Sequence, residues 1–221
     1  MSAMVKGVVA AAMLATLAGC GDQFQGGLLL PLASRAVPSL TGGGNGVQPT
    51  LQPGFTPQEM AADLESYMII GVPTLGPPIP VRRIMDNGTA ETWLAQVGFT
   101  AAFVDGMLVA TRGLGSDLMA ANTGAVRRAL AAGGGTAQRA MDVMDDQDRI
   151  TTLQFECEIV ATGTETIDLG LRQVATRTFE ENCASAKAIF TNLYWLDSAG
   201  EIVQSRQLVS PTVAYLRSNR L

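Results

Sequence analysis

The sequence predicts a mainly β fold: an antiparallel meander sheet, twisted or partly closed into a barrel or sandwich, with one short N-terminal helix over 57–69. Three observations predict it. Apolar and polar residues alternate with period two from Val81 onward. Turn signals such as Asp-Gly recur every few residues. The intervening segments are too short for the crossover helices that a parallel sheet needs.

The 221 residues divide into three stretches. Residues 1–20 read as an export leader, with Lys6 as its positive end and an apolar run from Val8 to Leu17. That run is too short to span a bilayer, which takes roughly 17–25 apolar residues. It ends in Leu17-Ala18-Gly19-Cys20, where small residues expose the backbone to a peptidase and the Cys20 thiol can form a thioether to diacylglycerol. This arrangement resembles the bacterial lipobox. Each buried acyl methylene contributes about 0.8 kcal/mol, so two or three palmitate-type chains would hold the mature protein on a membrane without crossing it. Gly21 follows Cys20, in place of the Asp that retains enteric lipoproteins at the inner membrane. By resemblance to that sorting rule, the outer membrane is expected.

Residues 21–55 are rich in Gly, Pro, Ser and Gln and lack apolar periodicity, which predicts a flexible tether. A chain of about 35 residues has an r.m.s. span of about 30–35 Å. Residues 56–221 are read as a single β-rich periplasmic domain.

Thr56-Pro57-Gln58-Glu59 has the form of a capping box with Pro at the first helical position, and Met60, Leu64 and Tyr67 or Met68 follow at helical spacing. Pro73, Pro77, Pro78 and Pro80 forbid continuation. Strands are expected at Val81–Met85, Thr89–Val97, Thr100–Val104 and Met107–Thr111, with Asp105-Gly106 as the sharpest hairpin turn because both residues tolerate positive φ. After Gly113-Leu114-Gly115 the pattern is irregular, with a short helix expected around Ala125–Ala131. Strands resume at Ile150–Thr162, Leu171–Glu180, Ala188–Leu196 and Glu201–Val209, the last two joined through Asp197-Ser198-Ala199-Gly200.

The net charge is −5, and loss of Lys6 with the leader makes it one unit more negative. An acidic chain of this kind argues against nucleic acid as a partner. Once Cys20 is lipidated, Cys157 and Cys183 remain in an oxidising compartment, and a disulfide between them is the default. A metal pair would lack partners because the chain has no His, and a redox pair would normally show C-x-x-C spacing.

Without His, Ser-His-Asp hydrolysis is excluded, and neither a P-loop nor a dinucleotide fingerprint occurs. No cofactor is implied. Asp142-Asp145-Asp146-Asp148 lacks the spacing and central Gly of an EF-hand and reads as a solvated turn. Glu156 and Glu158 share one strand face, which a carboxylate-based polysaccharide-modifying enzyme could use, with Glu180 as a third candidate. An exposed strand face is the simpler reading. Trp93, Phe99, Phe103, Tyr194, Trp195 and Tyr215 could stack sugars, but their alternation fits core packing better. Arg112, Arg206 and Arg217 could hold acidic sugars or be merely solvated.

Two longer segments carry a resemblance. Phe103 to Leu118, with Asp105-Gly106, Thr111, Gly113-Leu114 and Asp117-Leu118, and Asn192 to Pro211, with Tyr194-Trp195, Asp197, Gly200 and Ser205-Arg206-Gln207, are similar to segments of the YjbF/GfcB lipoproteins of Gram-negative bacteria. The resemblance implies an outer-membrane lipoprotein on the periplasmic face, accessory to exopolysaccharide or group 4 capsule production or export. Its implied partners are an outer-membrane barrel protein, a soluble periplasmic protein and the polysaccharide itself. It implies no catalytic residues. A purely structural envelope lipoprotein is the remaining alternative.

Overall fold

The computed structural model describes residues 54–221 except Asp146. The expected leader, Cys20 and the expected tether up to residue 53 lie outside the described residues. The described chain forms one antiparallel sheet of twelve strands: β1 Tyr67–Gly71, β2 Ile79–Asp86, β3 Ala90–Ala95, β4 Thr100–Val104, β5 Met107–Arg112, β6 Leu118–Asn122, β7 Gly135–Met144, β8 Ile150–Asp168, β9 Gln173–Ala184, β10 Ile189–Leu196, β11 Ile202–Ser210 and β12 Ala214–Arg220.

Each strand pairs with its sequence neighbours except β5 and β6, and β12 returns to pair with β1. The sheet is therefore an up-and-down meander wound almost into a barrel, with its two free edges at consecutive strands. Period-two burial follows: Trp93, Ala101, Phe103, Met141, Phe155, Phe179, Tyr194, Leu196 and Leu216 point into one core. Asp105 (φ 49°) and Gly106 (φ 77°) form the expected tight turn. Gly106 presses on β11, where an added Cβ would lie 2.8 Å from Cβ of Ile202.

Several sequence expectations need correction. The helix expected over 57–69 has its capping box but runs only Pro57–Ala62 (α1) and buries no side chain. With no apolar face to dock, nothing favours extending it. Tyr67–Gly71 instead becomes β1, buried throughout and paired on both sides with β2 and β12. Phe55, placed in the tether by composition, is buried edge-on against Tyr67 with ring centroids 6.4 Å apart.

The longer helix lies mid-chain, Gly124–Ala132 (α2), docking Val126, Ala129 and Leu130 and ending at Gly133 in the left-handed region. The region read as irregular also holds β6 and β7. The sequence does not display β7, because Arg139 occupies an inward position and breaks the apolar alternation. β12 is hidden for a similar reason, since Ser218 is one of its buried residues. β8 and β9 extend beyond their expected ends, so Cys183 lies within β9 and opposite Cys157.

Cys157 and Cys183 are joined as a disulfide across β8 and β9, 26 residues apart in sequence, and both are buried in the core. Closing a loop of that length stabilises by about 3.5 kcal/mol in the chain-entropy model. Cys157→Ala should therefore lower stability by roughly 2–5 kcal/mol in a urea titration. In the parent protein both thiols should resist maleimide until reductant is added, and labelling without reductant would contradict the bridge.

Candidate functional site

The carboxylates singled out by sequence lie on the outer face of the sheet. Glu156 and Glu158 are exposed and Glu180 is half-buried. Glu156 faces Gln138 and Ala184, Glu158 faces Thr136 and Asn182, and Glu180 faces Val160 and Leu193. Glu156 accepts a hydrogen bond from Gln138 Nε2 at 2.9 Å. A cleft of about 340 Å³ touches Glu156 together with Asn122, Gln138, Gln154 and Ser185, but neither Glu158 nor Glu180 lines it. The three carboxylates thus do not share this cleft, as a glycosidase pair would have to.

The other candidates are also absorbed by structure. Asp145 closes the β7–β8 turn, accepting from the backbone of Gln147 and Arg149 at 2.9 Å each and pairing with the Arg149 guanidinium at 2.9 Å. The Arg149 backbone bond, ahead of the others, holds its carboxyl below the ordinary value. Trp93, Phe99, Phe103 and Tyr194 are buried in the core. Trp195 and Tyr215 face outward, but the Trp195 indole donates to Glu165 and the Arg206 guanidinium stacks 4.2 Å over the Tyr215 ring. Arg112 donates to the carbonyls of Leu118 and Met119 across the barrel seam, at 3.1 and 3.3 Å.

The polar groups that do converge lie inside the barrel. Arg139 on β7 and Glu181 on β9 form an ion pair with both side chains fully inaccessible, Nη1 lying 3.2 and 3.1 Å from the two carboxylate oxygens. Tyr194 Oη and Asn192 Nδ2 donate to Glu181 Oε2 at 2.6 and 2.7 Å. Asn192 Oδ1 in turn accepts from Leu208 N at 2.8 Å. Cys183 Sγ lies 3.3 Å from Glu181 Oε1, so the disulfide borders the pair. Burial opposes the Arg139 charge, but Glu181 and Tyr194 beside it more than offset that and hold its pKa above the ordinary guanidinium value. Burial, and then the Glu181 charge, keep the Tyr194 phenol well above its usual 10.0.

A second set joins the two motif segments. Leu108 N donates to Gln207 Oε1 at 2.9 Å, and Gln207 Nε2 donates to Gly106 O at 3.1 Å and to Ser205 Oγ at 3.0 Å. Ser205 Oγ is 2.7 Å from Ser218 Oγ on β12. At the seam, Asp117 accepts from Thr111 Oγ1 (2.7 Å), Gly113 N (2.9 Å) and Leu114 N (3.2 Å), while Leu118 N donates to Thr111 Oγ1 (3.0 Å). Sequence reasoning named most of these residues as motif positions without assigning them contacts. It missed Arg139 altogether. The signal for Glu181 was its place in the Glu180-Glu181 pair, where strand alternation sends one side chain out and the other in.

Most of these groups bond to one another and hold strands in register, while Arg139 Nε and Nη2 are buried without a hydrogen-bond partner and Arg139 also lines the cleft beside Glu156. The sequence family described as group 4 capsule polysaccharide lipoprotein GfcB, YjbF matches residues 49–221, and the chain belongs to that family, as its two motif segments led one to expect. Among solved structures, the crystal structure of the hypothetical lipoprotein YmcC from Escherichia coli (K12) matches with TM-score 0.62 and 22% identity, over 69% of this chain and 84% of that one. At that identity the likeness concerns the fold. No curated protein matches the sequence.

Removing one partner of the interior ion pair strands a buried charge. Arg139→Ala should cost about 3–5 kcal/mol in a urea titration, and Arg139→Met combined with Glu181→Leu should cost less than either single change. A single-variant cost within about 0.5 kcal/mol of zero, the range of ordinary surface substitutions, would refute the assignment. The Tyr194 shift sets a second expectation. The unfolded chain releases this proton near pH 10 while the native state keeps it, so the stability present below that pH is lost as pH rises further. Tyr194→Phe should flatten the decline in stability above about pH 10, read by unfolding at a series of alkaline pH values.

Proposed function

We propose that this member of the YjbF family is a lipid-anchored, periplasm-facing accessory protein of exopolysaccharide or capsule production or export, and that it performs no catalysis. The observation that carries the proposal is the fate of its reactive groups. The polar residues that converge are buried in strand-holding networks, and of the three carboxylates Glu156, Glu158 and Glu180 only Glu156 lines the cleft. The family description supplies the link to group 4 capsule polysaccharide.

The Leu17-Ala18-Gly19-Cys20 leader supports anchoring through Cys20, with the outer membrane as its destination. The anchor would concentrate the domain at the membrane surface, beside an outer-membrane barrel protein and a periplasmic partner of the export system. Polymer contact would then be a matter of surface docking.

Deleting the gene should reduce the amount or change the chain length of surface polysaccharide, measured on extracted polymer. Unchanged polymer would defeat the export role, and general membrane fragility alone would favour a purely structural envelope protein. Joint alanine substitution of Glu156, Glu158 and Glu180 should leave output intact, and loss of output at normal protein level would favour the carboxylate enzyme.

Cys20→Ser should leave an unprocessed or mislocalised precursor that fails to incorporate an alkyne fatty acid. Label equal to that of the parent would exclude Cys20 as the acylated residue.

A further inference from the structure

The β8–β9 hairpin reaches beyond the barrel. β7 pairs with β8 only as far as Ile159, and β10 pairs with β9 only from Arg177 onward. Past those points the two strands pair with each other alone, out to Asp168 opposite Gln173. Residues 160–166 are exposed on both faces of this arm. Its β8 side, Val160–Asp168, is a strand edge with no neighbouring strand among the described residues.

Such an edge is a template for another strand, and proteins commonly blunt it with Lys, Pro or inward charges. The edge sequence Val-Ala-Thr-Gly-Thr-Glu-Thr-Ile-Asp contains neither Lys nor Pro, and Glu165 is engaged by the Trp195 indole. A register shift between Ala161 and Gly163 lies near the base of the arm. Toward the tip, Ile167, Leu169 and Val174 pack with Val203 and Trp195. This packing fixes the arm against the barrel wall and lowers the ordering cost of adding a strand.

We propose that the free edge of β8 pairs antiparallel with the same edge of a second copy of this chain, about a twofold axis at Thr164. A twofold pairing sets the segment against its own reverse. Centred on Thr164, it places Thr162 opposite Thr166, Gly163 opposite Glu165, Ala161 opposite Ile167 and Val160 opposite Asp168. No like charges face each other. Thr–Thr pairs flank and occupy the axis, a cross-strand combination that stabilises sheets. Moving the axis to Glu165 would set two carboxylates face to face, which destabilises.

Charge favours a second copy as the occupant. Between Val160 and Arg177 the arm carries Glu165 and Asp168 against Arg172 and Arg177, so it is locally neutral in a chain of net charge −5. Two arms can meet without the repulsion that the rest of the surface would impose. The pairing is isologous, so it closes as a dimer and does not propagate into a fibre.

The test is performed on the full chain in the bacterial envelope. Thr164→Cys should give, on mild oxidation with copper-phenanthroline, a reductant-sensitive band of dimer size. Thr151→Cys, exposed on the part of β8 already paired with β7, should give little. Absence of the dimer band at normal protein level, equal bands at the two positions, or a cross-link of another size would each overturn the proposal, the last pointing to a different protein on this edge. Light scattering of the purified lipidated chain in detergent provides the second measurement. The parent should be dimeric and Thr164→Lys, which sets two ammonium groups against each other at the axis, monomeric. A monomeric parent would overturn the proposal independently of the cross-linking.

Discussion

The structure depends on how an almost closed sheet manages its two free edges. Every other strand has neighbours on both sides, but β5 and β6 meet without a ladder, and buried backbone groups left there unpaired would each cost about 1–3 kcal/mol. Side chains take the place of the missing ladder. Asp117 gathers the Thr111 hydroxyl and the amides of Gly113 and Leu114, Thr111 accepts from Leu118, and Arg112 reaches the carbonyls of Leu118 and Met119. Gln207, entering from the opposite wall, satisfies Leu108 N on β5 and Gly106 O in the turn before it. Residues about a hundred apart in sequence thereby fix the curvature of the whole sheet.

The interior ion pair follows from that curvature. Arg139 and Glu181 sit on strands separated by β8, and only a strongly curved sheet brings a guanidinium and a carboxylate from such positions to about 3 Å. Burying the two charges is costly, and the pair is tolerable because Tyr194 and Asn192 complete the carboxylate's hydrogen bonds. The disulfide links β8 to β9 beside the same carboxylate. One corner of the barrel is thus held by a covalent bond, an ion pair and a hydrogen-bond set together.

A rigid wall with its reactive groups turned inward suits a protein whose contribution is position. A lipid at Cys20 would set the distance from the membrane, the tether would give reach, and recognition would fall to the outer surface. The long β8–β9 arm is the most distinctive feature of that surface, since it extends the sheet beyond the point where the barrel has any use for it.

The sequence by itself determined the antiparallel class, the Asp105-Gly106 turn, the capping box at Thr56 and the outer hairpins. Each of these is encoded locally, by period-two alternation or by residues that tolerate one backbone geometry. It also carried the family, through segments whose order is visible without coordinates. The tertiary structure alone decided the fates of Tyr67–Gly71, β6, β7 and β12. Tyr67–Gly71 has apolar residues at spacings that suit a helix or a strand, and pairing with β2 and β12 settles the matter. β7 and β12 carry polar residues facing inward, Arg139 and Ser218, which erase the alternation that would have revealed them. Those residues are inward where distant partners, Glu181 and Ser205, bond to them. Local pattern cannot report a partner forty residues away, so the polar interior became legible only once the sheet had curved and brought the two halves together.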